Sequence, residues 1–376
     1  MTVIREVRTK KEKKEFLELP NRLYRDCPCY VPPFYADEKK IFTERRAKDK
    51  SAGSVFFLAY EDGKAVGRIQ GICHYLSNQK SGEKRVRFTR FDCIDSKETA
   101  ALLFRRLEDW ARSLGMDTVC GPLGYSDLER EGLLIEGFDQ LSTYEEQYNY
   151  AYYPDLLEAA GYRKEKDWLE FRLSIPEKED GELERTAEFL LRRYGLTYVR
   201  GKNFAKLCEQ YYDEFHRVLE DGYGSLYGTV PFTAEMKKEL LKTLAAVLDK
   251  RFIRLVTDKD GELVYFALAL PSLSKALLHS GGHLSVPVIC KLLKAKRHPE
   301  VIDLALVSVS EKYRGKGVGG LLVRDLIGLM KSENVPYAET NLCLEDNIPI
   351  LNLWHQFDSV QHKRRRSYVK RIAEGE

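Results

Sequence analysis

Several things this chain lacks narrow it before anything it contains. No apolar run approaches the ~20 residues of a membrane-spanning helix, and the opening MTVIREVRTKKEKKEF carries no apolar core of a secretory leader. The expectation is a cytoplasmic protein with no membrane partner. The one H-x-x-x-H spacing, His279 and His283, runs across Gly281-Gly282 and not along a helical pattern, and the closest cysteine pair, Cys27 and Cys29, has one residue between its members where a metal or redox C-x-x-C has two. The eight cysteines lie scattered, mostly in apolar stretches such as Gly71-Ile72-Cys73, which reads as reduced thiols and no metal site. An excess of one charge is missing too. A formal net charge of +3 makes no global field for nucleic acid, so no nucleic-acid partner is expected. One local exception, His362-Lys363-Arg364-Arg365-Arg366, reads as a solvated strand edge protected against pairing, with a polyanion site as the alternative.

What is present suits a globular protein of two cores, because 376 residues exceed what one ordinary core accommodates. Residues 2–8 alternate like a strand, and 10–25 place Phe16, Leu17, Leu19 and Leu23 on one helical side. Val55–Tyr60, Asp62-Gly63 and Ala65–Tyr75 form a hairpin signal. A strand from Arg85 to Ile94 leads into a helix capped by Ser96, then a buried strand at Met116–Gly121. Residues 124–150 are rich in Tyr, Glu and Gly with little periodicity, as in a functional loop or an insertion. The charged turn Pro176–Gly181 marks a boundary, which divides the chain into 1–176 and 177–376.

The second half repeats the order of the first. EDGKAV at 61–66 parallels KDGELV at 259–264, and RSLGMDTVCGPL at 112–123 aligns with KSENVPYAETNL at 331–342. The endings YYPDLLEAAGY (152–162) and ILNLWHQFDSV (350–360) also correspond. Matches that keep their order within one chain indicate tandem copies of an α/β domain. The insertion from Pro271 to Pro299 could be an acceptor lid hinged at Gly281 and Gly282, or plain packing.

The copies differ most after their central strands. In the second, a buried strand ending Leu306-Val307-Ser308-Val309 is followed, four residues on, by Arg314-Gly315-Lys316-Gly317-Val318-Gly319-Gly320 and an amphipathic helix. Glycines at a strand-to-helix junction let backbone approach a ligand. The first amides of the helix have no intrahelical partner, and its dipole favours an anion, so the loop suits phosphate. The glycine order fits G-x-G-x-x-G poorly, although Glu339 stands about where a ribose-binding acid would; the G-x-x-x-x-G-K-[ST] phosphate loop is absent. A glycine turn that merely packs helix on strand is the other reading. The first copy has no such glycines, and Asp92 and Asp95 stand there, where carboxylates would repel a pyrophosphate.

Strand, loop and helix together resemble the acyl-CoA motif R/Q-x-x-G-x-G/A of the GNAT superfamily of N-acyltransferases, matched here by Arg314, Gly317 and Gly319. The resemblance implies two GNAT-like α/β domains, each a mixed, mostly antiparallel sheet flanked by helices, the first having lost cofactor binding. It implies a splayed strand whose backbone at Leu306, Val307 and Val309 meets the pantetheine arm. The amides of Arg314, Gly315, Lys316, Gly317, Val318 and Gly319 would take the diphosphate. It further implies acetyl-CoA, or another acyl-CoA, as co-substrate, a small-molecule or peptide amine as acceptor, and an oxyanion donor near Val307–Val309. Asn347, also a good helix N-cap on its own terms, would touch the pantetheine. Asp303, spaced from Arg314 like the base of the histone-acetylating branch, would take the amine proton. An acid in an apolar strand has the raised pKa a base needs; a solvated edge carboxylate is the other reading. The chain departs from the family at Trp354, where a tyrosine often protonates the leaving thiolate, because an indole cannot give up its proton. His355, Tyr337 or Tyr313 could substitute. Two rivals follow: an acyl-CoA sensor without turnover, and a tandem transferase that uses charged tRNA, of the kind that lacks a good pyrophosphate loop.

Overall fold

The two Asp-Gly turns do what their residues dictate. In the computed structural model, which describes residues 1–43, 51–126, 128–177, 181–199 and 204–372, Asp62 and Gly63 take φ values of +48° and +77°. They join β2 (Ala52–Glu61) to β3 (Lys64–His74), since two consecutive left-handed residues match the twist of a tight hairpin. In the second turn Gly261 takes φ +82°, and Asp258 accepts the amides of Asp260 and Glu262 at 3.0 and 3.2 Å. That turn joins β9 (Ile253–Thr257) to β10 (Leu263–Pro271).

The remaining strands are β1 (Val3–Glu6), β4 (Arg85–Cys93), β5 (Thr118–Gly121), β6 (Leu133–Glu136), β7 (Arg163–Ser174), β8 (Thr197–Tyr198), β11 (Ile302–Val309), β12 (Tyr337–Glu339), β13 (Cys343–Leu344) and β14 (Asp358–Arg371). They serve two compact units. One comprises Met1–Leu169, Leu273–Leu293 and Lys363–Glu376; the other comprises Glu170–Ser272 and Lys294–His362. The residue 176 boundary concerns the repeat, whereas the units follow packing: the last strand of the chain serves the first unit, and the end of β7 serves the second.

In the first unit the sheet order is β1-β2-β3-β4-β5-β14. Only β4 and β5 run parallel, so they need a crossover, which the helix Lys97–Ser113 provides. The Ser96 hydroxyl accepts the Thr99 amide at 3.2 Å and starts that helix, which buries Leu103, Phe104 and Leu107. The second unit repeats the plan in the order β7-β12-β11-β10-β9-β8. Here β11 and β12 are the parallel pair, and the crossover helix Leu321–Glu333 buries Leu322, Leu326 and Met330. Hairpin, parallel pair and short closing helix (Tyr153–Ala159 in one unit, Ile348–Trp354 in the other) thus recur in the order that the repeat predicts.

Three expectations need correction. The basic run on β14 is no solvated edge: Lys363 is 1% exposed and Arg365 is 0% exposed. Arg366 donates to Asp167 at 2.8 and 3.0 Å, and Arg365 lies 3.5 Å from Glu146. Buried carboxylates therefore neutralise the run. The aperiodic stretch 124–150 contains β6, paired with β14 through Arg364–Arg366. Finally, Gly282 is not a hinge. Its carbonyl accepts the Tyr35 amide at 2.9 Å, and a Cβ there would lie 2.0 Å from the Pro33 oxygen, so the insertion is packed down at this point.

Candidate active site

The second unit opens where its two parallel strands part. β11 and β12 pair only at Ile302–Ala338 and Asp303–Glu339. β12 ends at Glu339, while β11 continues to Val309. On its other side β11 stays bonded to β10 with one irregularity. Leu268 faces Leu306 and Ala269 faces Leu304, so Ala305 is the extra residue of a β-bulge, which bends β11. Asn341 Nδ2 donates to the Ala305 carbonyl at 3.2 Å.

The helix Tyr212–Tyr223 lies against β11. Gly222 permits the close approach, since a Cβ there would sit 2.2 Å from Ser308 Oγ. Ser308 Oγ donates to the Val218 carbonyl at 2.6 Å, and the Val307 N–H donates to Tyr223 Oη at 3.2 Å. Beside this helix lies a small apolar cleft. Its lining is entirely apolar in character, with Leu207, Tyr211, Phe215, Leu241, Leu255 and Leu268 among its members.

After β11 the chain turns through Glu311–Tyr313 into the glycine loop. Gly315 and Gly317 adopt φ +73° and +82°, a region costly for other residues. A Cβ at Gly315 or Gly320 would meet nothing within 4 Å, and one at Gly317 would meet only the Leu190 side chain at 3.5 Å. Arg314, Gly315, Lys316 and Gly317 are exposed, whereas Val318 is buried beneath them and holds the loop to the core. The loop spends two amides on itself, Lys316 to the Tyr313 carbonyl at 3.2 Å and Gly320 to the Gly317 carbonyl at 2.9 Å. Among the described residues, the amides of Gly315, Gly317, Val318 and Gly319 donate to no protein acceptor. They open onto the 3₁₀ turn Val318–Gly320 and the helix behind it, whose positive dipole end adds to the field. Arg314 is tied to the Asp221 carbonyl, and Lys316 Nζ lies 5.3 Å from the Tyr313 ring centre. The donor set, its exposure and the flanking cations fit a diphosphate.

Asp303 is only 4% exposed and stands in register with Glu339, itself 8% exposed, on the neighbouring parallel strand. Glu339 lies 3.4 Å from Arg172 and 3.9 Å from His362, and the Arg172 guanidinium covers the Tyr337 ring at 4.5 Å. Asp303 is therefore part of a buried charged cluster at the closed end of the splay, about 20 Å along the strand from Val309. Leu306 is buried, and Val307 and Val309 are half-buried along the open edge. Asn347 occupies the N-cap position of Ile348–Trp354, but its side chain makes no capping bond; its carbonyl instead accepts the amides of Ile350 and Leu351. Trp354 is buried beside Cys343, whose thiol burial pushes up to about 11 against the opposing influence of Trp354 and Thr340. Of the substitutes for the missing tyrosine, Tyr313 faces Asp258 at 3.4 Å, Tyr337 lies under Arg172, and His355 is exposed. Tyr223 was invisible to motif reading, because nothing in sequence links it to β11.

The corresponding corner of the first unit is filled. The Cys93 amide donates to Tyr153 Oη at 3.0 Å, and Tyr152 Oη donates to the Cys93 carbonyl at 2.8 Å. Asp92 is 2% exposed and bonded to Arg68 at 2.7 Å and to Tyr24 at 2.9 Å. The backbone at this corner is thus occupied, and the Asp92 carboxylate is paired with Arg68, while Asp95 stays exposed.

No family model matches the chain. It is 26% identical over 378 residues to the bacterial ceramide synthase of Caulobacter vibrioides (strain NA1000 / CB15N), covering 97% of this chain and 96% of that protein. It is 23% identical over 380 residues to Protein YghO of Escherichia coli (strain K12), covering 98% and 95% respectively. Among solved structures it is similar to a tandem GNAT protein from the clavulanic acid biosynthesis pathway, with TM-score 0.56, 12% identity and full coverage of both chains. It is also similar to a GCN5-related N-acetyltransferase from Sphaerobacter thermophilus, with TM-score 0.51, 14% identity, and coverage of 100% of this chain and 97% of that one. With the splayed parallel pair, the bulge and the glycine loop, these likenesses establish that this chain has the tandem GNAT fold.

Proposed function

We propose that this protein is an acyl-CoA-dependent N-acyltransferase that works through its second unit, the first being a degenerate copy that binds no nucleotide. The observation that carries the proposal is the exposed loop Arg314–Gly320, with four unspent amides beyond a splayed strand. Acyl-CoA is a substrate here, and the residues named are those that would hold it: loop amides for the diphosphate, the open edge of β11 for the pantetheine arm, and Asn347 beside it. The acceptor is an amine, which attacks the thioester carbonyl only after losing a proton. Asp303, backed by Glu339, is the proposed base. The Val307 amide, expected to polarise the carbonyl, is already given to Tyr223. Tyr223 therefore takes over: its phenol, positioned by that amide, donates to the developing oxyanion or to the departing thiolate, the task Trp354 cannot do.

The relative named ceramide synthase supports a substrate with a hydrocarbon chain, on the acyl or the amine side. Trp354 favours a second reading, a binding module without turnover; thiol release with long-chain amines and acyl-CoAs separates the two. Calorimetric titration of acetyl-CoA and palmitoyl-CoA into wild type and Gly317→Glu tests the loop. Loss of binding is expected in the variant, with the fold kept and the melting point lowered only by the left-handed strain of Glu at this position, about 1–2 kcal/mol. Equal affinity for both proteins overturns the assignment.

A further inference from the structure

The helix Val286–Arg297 is buried on one side only. Val288, Leu292 and Ala295 face inward, Val288 joining Val31 and Leu277 in a small apolar cluster. The opposite side is apolar as well. Val286 is 75% exposed, Ile289 41% and Leu293 52%, with Cys290 exposed among them and Leu284, 55% exposed, just before the helix. The positions i, i+3, i+4 and i+7 make one continuous stripe. Lys294 flanks it on one side and Lys296 on the other, with Lys291 beyond Lys294 and Arg297 at its C-terminal end. Residues 283–299 contain no acidic side chain. Among the described residues, Lys291, Lys294 and Arg297 form no ion pair, so their charge remains available.

We propose that this helix docks the protein on the surface of an anionic phospholipid bilayer, lying in the interface with its stripe toward the acyl chains. An exposed apolar stripe bordered by lysines suits that role, because a lysine stem lies along the apolar boundary while its ammonium reaches the phosphate layer. A protein partner is disfavoured, since lysine is depleted from protein–protein interfaces. At ~18 Å the helix is too short to span a membrane, and none of the described helices is long and apolar enough to do so. The expectation of no membrane partner rested on the lack of a spanning run, which says nothing about binding in the plane of the interface. The inference stands apart from the acyl-transfer reading, because it uses neither the glycine loop nor β11.

Co-sedimentation of the full chain with extruded vesicles, of phosphatidylcholine alone or with one-third phosphatidylglycerol, tests it. Wild type should pellet with the anionic vesicles, less at high salt and only weakly with neutral ones. The double variant Ile289→Asp/Leu293→Asp should lose at least about tenfold in partition coefficient, and Lys291→Glu/Lys294→Glu should lose preference for the anionic lipid. Both variants should keep the wild-type melting point, since the replaced side chains are solvent-facing. Absence of wild-type binding, or equal binding by the Asp variant, overturns the proposal. So does light scattering that shows the stripe consumed in a dimer that ignores vesicles.

Discussion

Tyr223 Oη accepts the Val307 amide at 3.2 Å. The bond joins the helix Tyr212–Tyr223 to the open edge of the one strand whose free backbone the GNAT pattern requires. A phenol that accepts an amide proton is fixed in orientation, and its own O–H becomes a positioned donor. In the proposed reaction, the polarisation expected of backbone alone would pass to a side chain that mutation can reach.

Replacing Tyr223 with Phe removes that donor and leaves the ring in place. Thiol release should fall by about 10²-fold or more in kcat, while acyl-CoA affinity measured by calorimetry stays at the wild-type value. A wild-type kcat in this variant would return the oxyanion role to backbone.

Asp303→Asn should abolish the acidic limb of the kcat/KM–pH profile and lower the plateau by about 10²-fold. Glu339→Gln should keep that limb, because the register partner shapes the site without taking the proton. A profile unchanged in Asp303→Asn removes this residue from the mechanism.

His216 makes acid stability predictable. Burial is the largest cause, followed by nearby Lys237, and together they push its imidazole from the ordinary 6.5 down to about 4. Between those values the unfolded chain binds a proton that the folded chain refuses. Stability from this group is thus complete above about pH 6.5 and drains away as pH falls toward 4. Urea midpoints at pH 7.5, 6 and 5 should decline in wild type and decline less in His216→Phe.

Asp167 tests the buried basic strand. Burial pushes its carboxyl up, but the bonds from Arg366 and Lys164 outweigh that and hold it below the ordinary value. Its contribution is present above about pH 4 and is lost as pH falls further. Asp167→Ala removes the carboxylate bonded by Arg366 and should cost about 3 kcal/mol at neutral pH, read from chemical denaturation. A cost below about 1 kcal/mol, the level of a surface pair, would mean the strand stays solvated.

The hairpins, the crossover helices and the glycine loop were legible because each depends on residues close together in sequence. Asp62-Gly63 must turn tightly, Ser96 must cap, and Arg314–Gly320 turns through the left-handed glycines Gly315 and Gly317. The basic run misread as an edge shows the opposite case. Arg365 and Arg366 look solvated until the chain brings Glu146 and Asp167 beside them, from some two hundred positions away. Asp92 is similar, for its charge was visible and its partner Arg68 was not.

From sequence alone came the tandem α/β plan and the second copy's glycine loop, since local conformational preference and hydrophobic period specify them. Tertiary structure alone decided which strand completes which unit, that Tyr223 occupies the β11 edge, that Tyr152 and Tyr153 fill the first unit's corner, and that Val286–Arg297 keeps an apolar side in water. The reason is that partners distant along the chain are chosen by burial and shape, and neither is written in any short stretch of residues.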